Sequence, residues 1–227
     1  EILPFAGDDD GSSRYGPMEV FVFKKAVLLE LLEMARAPGV NGRTIIDVIR
    51  DHWMGHERVN VYRFGGVDGR VSQDKYWRTL ASVDDYYDAN MDLLRLEPPL
   101  DIYQSDWPIR THQMQGPPAR TVAGRSCTEG ICVNSIVAGG TVIAGGGVSR
   151  SVLGNRVYID DGATVEDAIL SSGVVIGEGT QLQRCIIDRN VHIPRNEQIG
   201  VDLAVDRGRF TVTPNGVVVI PSDADFS

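Results

Sequence analysis

Cysteine is scarce in this chain of 227 residues: there are three, Cys127, Cys132 and Cys185, too few for a disulfide framework. Cys127 and Cys132 stand five residues apart without the Cys or His partners of a zinc site. Long apolar runs are missing too. No stretch reaches the roughly 18 residues of a membrane-spanning helix, so no membrane partner is expected. Nor is there a basic excess: 22 Lys and Arg against 31 Asp and Glu leave a formal net charge of -9. That balance argues against nucleic acid as a partner, because phosphate contacts need Lys and Arg. Glu1–Tyr15 is acidic, rich in Gly and Ser, and carries no signal-peptide pattern. Reduced structural thiols in a cytoplasmic protein are the expectation.

Hydrophobic residues make up 42% and charged residues 23%, the balance of a globular chain. The 25 glycines crowd into the second half, which points to two different architectures.

In the first half, Glu19–Phe23 is a short apolar run fit for a buried strand. Ala26–Ala37 reads as a helix stopped by Pro38-Gly39. Thr44–Trp53 reads as another, with Ile45, Ile46 and Ile49 on one face. Arg58–Phe64 alternates like a strand. Ser82-Val83-Asp84-Asp85 has capping-box spacing and opens a helix through Tyr86, Met91 and Leu94. Strands alternating with helices imply an α/β layer, but two strands make a poorly buried sheet, so this region reads as a partial domain. Tyr86, Tyr87 and Trp77 are expected in its core. The proline-rich stretch 96–124 reads as an extended linker.

The second half repeats. Ile136, Val142 and Val148 are followed by Leu153, Ile159 and Val165, then Leu170, Ile176 and Leu182, then Ile187, Ile193 and Ile199, each 17 residues after its counterpart. Val157, Val174 and Val191 form another column, as do Val152, Ile169 and Ile186. Gly145, Gly162, Gly179 and Asn196 share the period and tolerate a left-handed backbone, so each coil turns a corner there. Six-residue steps with three faces per coil mark a parallel β-helix of triangular section. Beyond it, Pro214-Asn215-Gly216 between two β-rich runs signals a hairpin capping the open end.

Several segments resemble the bacterial ADP-glucose pyrophosphorylases (glucose-1-phosphate adenylyltransferases). Tyr76-Trp77-Arg78, Ser82-Val83 and Ala89-Asn90-Met91-Asp92-Leu93 are similar to the end of that family's catalytic domain. Trp107-Pro108-Ile109-Arg110-Thr111 and Pro117-Pro118-Ala119-Arg120 are similar to its interdomain linker. Val152-Leu153, Arg184-Cys185-Ile186-Ile187-Asp188-Arg189 and Ile193-Pro194 are similar to its β-helix, and Arg209-Phe210-Thr211-Val212 to its tail. The resemblance implies a mainly β fold: a left-handed parallel β-helix of hexapeptide-type repeats, preceded by a partial α/β nucleotidyltransferase-like domain. The segments expected are 1–95 for the α/β remnant, 96–130 for the linker, 131–203 for the β-helix and 204–227 for the hairpin cap.

The family makes ADP-glucose and pyrophosphate from ATP and glucose-1-phosphate with Mg2+, and feeds glycogen synthesis. The resemblance therefore implies a homo- or hetero-oligomer, a tetramer, controlled by a sugar-phosphate, adenylate or phosphate effector. The family's glycine-rich nucleotide loop and sugar-phosphate Lys-Pro motif are not found in this sequence and are expected before residue 1. Its Asp after Tyr-Trp-Arg, a magnesium ligand, is Thr79, a poor ligand for so hard a cation. Its Ser-Met-Gly reads Pro17-Met18-Glu19, and its Phe-Gly-Lys-Asp reads Asn41-Gly42-Arg43-Thr44. No catalytic or metal residue is therefore assigned in this chain, and no cofactor of its own is expected. The chain alone is expected to be inactive; a non-catalytic regulatory subunit is the alternative.

Arg184 and Arg189, with Arg120 in the linker, are the candidate effector-binding residues, since arginine suits phosphate through its planar fork. The bland reading of Arg150, Asp167 and Arg184, which share one coil position, is a surface charge ladder. His192 in a β-helix strand raises an acyltransferase general base, but nothing in the sequence pairs with it. His52, His56 and His112 fit no metal spacing.

Overall fold

A computed structural model describes residues 20–36, 47–48, 76–105, 108–110 and 115–226. The chain divides into two compact units, Glu1–Val71 and Ser72–Ser227.

In the first unit, helix α1 spans Lys25–Ala35, close to the expected span. Leu31 is fully buried, with Val48 beside it and Phe21, Phe23, Val27, Met34 and Ala35 around them. The expected strand is not observed over Val20–Phe23. Phe21 and Phe23 turn inward and stack at 6.0 Å between ring centroids, while Val20 and Val22 are exposed. The alternation of a strand is there, but among the described residues no neighbouring strand takes up its backbone groups. Asp47 and Val48 are helical. The rest of the expected helix Thr44–Trp53, and the expected strand Arg58–Phe64, lie outside the described residues, as do His52, His56 and His112.

The second unit is the parallel β-helix. One wall stacks β1 (Arg120–Val122), β4 (Val142–Ala144), β7 (Tyr158–Ile159), β10 (Val175–Ile176) and β13 (His192–Ile193). The next stacks β2 (Ile131–Val133), β5 (Gly147–Ser149), β8 (Thr164–Glu166), β11 (Gln181–Gln183) and β14 (Gln198–Ile199). The third contains β3 (Ile136–Val137), β6 (Val152–Leu153), β9 (Ile169–Leu170) and β12 (Cys185–Ile187). The first strand thus lies at Arg120, inside the segment expected to be linker.

The inward columns from Leu153 to Ile199 are buried as expected. The first coil differs. Val137 pairs with Leu153, and Ile143 with Ile159, while Val148 still pairs with Val165. Val137 and Ile143 therefore occupy the columns expected for Ile136 and Val142. The cause is one short corner. Ala144 alone separates Ile143 from Gly145, where Asp160 and Asp161 separate Ile159 from Gly162. The strand period is two, so a one-residue slip exchanges inside for outside.

Each coil has three left-handed corners where the sequence marked one. Gly145, Gly162, Gly179 and Asn196 have φ of +76, +67, +69 and +57°. A second column holds Asn134, Arg150, Asp167 and Arg184 at +45 to +48°, and a third holds Gly140, Arg156, Gly173 and Asn190.

The expected hairpin forms: β15 (Thr211–Val212) runs antiparallel to β16 (Val218–Ile220). It turns on Gly216, at φ +80°, whose N–H donates to the Thr213 carbonyl at 3.0 Å. The hairpin extends one wall as well as capping it, since β16 pairs in parallel with β12 and buries Val218 and Ile220. Short helix α3 (Leu203–Asp206) adds Leu203, and Phe210 and Phe226 pack with it against the core.

Helix α2 (Val83–Asp92) starts with a complete capping box between Ser82 and Asp85. Tyr87 and Met91 pack on Ile169, Ile186 and Val217. The column Val152, Ile169 and Ile186 is thus an outer surface that α2 partly covers. This corrects the expectation for the aromatics: Tyr87 is buried against the β-helix, while Tyr86 and Trp77 are 43% and 47% exposed. An isolated amphipathic helix must bury its apolar stripe on whatever apolar face lies nearest.

Candidate functional site

Of the candidate residues, Arg184 lies where α2 meets the β-helix corners. Arg150 grips Asp167 with two parallel bonds, from Nε and Nη2, both 2.8 Å. This bidentate pair is half of the expected charge ladder. The other half takes a different form. The Tyr87 hydroxyl donates to the Asp167 carbonyl at 2.7 Å, and Arg184 lies over the Tyr87 ring at 5.2 Å. Arg184 Nε also donates to the Asn215 carbonyl at 3.2 Å. Burial pushes the Tyr87 phenol up to about 12, so it remains a donor throughout the physiological range. A further bond runs from the Thr213 hydroxyl to Asp84. Helix, corner column and C-terminal hairpin are therefore tied at one junction, and Arg184 is part of the tie.

Arg184 and Arg189 are both exposed and flank the two ends of β12. Five residues of extended chain put their Cα atoms at most about 17 Å apart. Arg120 is exposed in β1, at the level of Val142. In that wall β4, β7 and β10 separate it from β13, which follows Arg189, a distance of about 19 Å along the axis at one strand spacing per step. The three arginines do not converge within one chain.

His192 is exposed on β13. Cys127, Cys132 and Cys185 are all free thiols. Burial pushes Cys185 up to about 12, so it is an inert core residue. Among the described residues no group of three or more His, Cys, Asp or Glu side chains could hold a metal ion. Thr79 is exposed, and the magnesium that the resemblance implies has no ligand set among these residues.

Two clusters escaped the sequence reading. Asp161, the residue that the short corner lacks, accepts the Ser126 N–H at 2.6 Å and its hydroxyl at 2.7 Å. A Cβ on Gly124 or Gly145 would collide with its carboxylate, so these glycines leave the space it fills. The Ser126 bonds hold its carboxyl below the usual aspartate range. Its only sequence signal is the extra residue in the repeat. The second cluster surrounds Asp92, 3% exposed. It accepts from the Tyr76 hydroxyl at 2.9 Å and from Arg78 Nε at 3.1 Å, and Arg95 Nη2 stands at 2.6 Å.

A family model described as "GlmU-like, C-terminal hexapeptide" matches residues 117–220, the β-helix and its hairpin. Over a far longer stretch the chain is 40% identical to "Glucose-1-phosphate adenylyltransferase 2" of Vibrio cholerae, across 92% of this chain and 52% of that protein. This chain is a homologue of the glucose-1-phosphate adenylyltransferases. Its identity to the enzyme so named from Vibrio parahaemolyticus is 41%, over 96% of this chain and 54% of that protein. For the one from Rhodopirellula baltica it is 40%, over 93% and 48%. The chain spans about half the length of the curated relatives it matches, and the part matched is the C-terminal half of these adenylyltransferases. The similarity takes in the first unit and α2 as well as the β-helix.

Proposed function

We propose that this chain supplies the β-helix half of a glucose-1-phosphate adenylyltransferase, which joins ATP and glucose-1-phosphate into ADP-glucose and pyrophosphate in the cytoplasm for glycogen synthesis. The observation that carries the reading is identity of 40% across 92% of the chain to an adenylyltransferase. In this role the β-helix mediates oligomerisation and regulation. An anionic effector, a sugar phosphate, adenylate or phosphate, is met by Arg184 and Arg189, with Arg120 as a separate basic point. Nucleotidyl transfer depends on positioning and neutralising the triphosphate. Those tasks fall to the other half of the enzyme.

Thr79 favours a second reading, a non-catalytic subunit that tunes an active partner. The test is a chimera in which this chain replaces the matching half of the Vibrio cholerae protein, made with Thr79 and with Thr79→Asp. Pyrophosphate release from both supports the first reading. Release from the Thr79→Asp chimera alone supports the regulatory one. A folded pair that releases none from ATP and glucose-1-phosphate refutes both.

A further inference from the structure

Asp92 breaks a local rule. It is the last residue of α2, where the helix dipole disfavours an anion. It is also buried, which costs a carboxylate several kcal/mol unless it is paired. A residue placed against its local preferences points to a task elsewhere.

That task is visible in its partners. Tyr76 and Arg78 belong to a segment, residues 76–81, with neither helix nor strand. Burial does not hold this segment, since Trp77 is 47% and Leu80 59% exposed. What holds it is Asp92: one carboxylate oxygen takes the Tyr76 hydroxyl and Arg78 Nε, and the other takes Arg95 Nη2. In extended chain, alternate side chains point to opposite sides. Tyr76 and Arg78 reach Asp92 in this alternating way, while Trp77 and Thr79 between and after them are exposed. The helix is itself anchored to the β-helix through Tyr87 and Asp84.

We propose that Asp92 is a positioning residue that clamps Tyr76 and Arg78, so that residue 79 is presented in a fixed direction to the catalytic half of an adenylyltransferase. The inference rests on the function proposed above for what residue 79 serves, but the clamp can be tested without it.

Of the three tryptophans, Trp53→Phe and Trp107→Phe leave Trp77 as the only indole, next to both clamped residues. In that background Asp92→Asn keeps the shape of the side chain and removes its charge. Acrylamide quenching of Trp77 is expected to rise about twofold as the segment loosens, with the β-helix melting transition unmoved. Tyr76→Phe removes one prong without touching the buried carboxylate, and is expected to give a smaller rise. Unchanged quenching in both variants overturns the clamp. In the chimera carrying Thr79→Asp, Asp92→Asn is expected to lower kcat about tenfold and keep KM for ATP within about twofold. Equal kcat with and without Asp92→Asn overturns the positioning role. Absence of turnover in the parent chimera counts against the proposed function instead, and Trp77 quenching then decides the clamp.

Discussion

The register of the first coil can be decided by two alanine substitutions one residue apart. Ile143 is 1% exposed and pairs in register with Ile159, which is fully buried. Val142 is half-buried on the outer side of the same strand. Truncating a buried isoleucine to alanine costs about 2–5 kcal/mol, the transfer loss plus the cavity. A half-exposed valine loses about 1 kcal/mol or less, because part of its surface is already in water. Urea unfolding of the chain, followed by circular dichroism, reads the difference. With a denaturant slope of about 2 kcal/mol/M, a loss of 3 kcal/mol moves the midpoint by about 1.5 M. Ile143→Ala should show a shift of that size and Val142→Ala less than about 0.5 M. Stacked coils interact only with their neighbours, so both substitutions report on the same junction. A larger loss in Val142→Ala than in Ile143→Ala would refute the sixteen-residue coil and restore an even period.

Asp161 makes a pH prediction. Its native carboxyl titrates below the ordinary aspartate value of 3.8, so its hold on the Ser126 loop is intact above that value and is lost as pH falls through the lower native one. Trypsin cleavage after Arg125, measured at neutral pH, should be faster in Asp161→Asn than in the parent, and equal rates would discount the staple. The effector proposal predicts that titration with fructose-1,6-bisphosphate or phosphate moves the NMR signals of Arg184 and Arg189 at roughly millimolar concentration. Shifts confined to Tyr76–Thr79 would count against it.

How much could be read from the chain beforehand differs by element. The β-helix was legible because each coil repeats the same demand at a fixed interval: an aliphatic residue inward, then a residue able to turn left. Gly145, Gly162, Gly179 and Asn196 announce one corner by residue type. The corners at Arg150 and Arg184 were not legible as corners, because arginine, unlike the Asp167 between them, is not marked for φ above zero. Their conformation is imposed by the walls on either side. The capping box of α2 is likewise local, and Ser82 and Asp85 form it as expected.

Sequence periodicity alone determined the architecture, since pairing between neighbouring coils is a local relation carried to the next repeat. Only the tertiary structure decided which residue the short corner drops, that Tyr87 lies on the β-helix, and that Asp92 collects Tyr76, Arg78 and Arg95. These contacts join segments without a shared period. Tyr87 and Asp167 lie 80 residues apart, and no spacing rule links them. What selects such a pair is the apolar face that α2 must cover and the polar groups that this covering would otherwise leave unpaired.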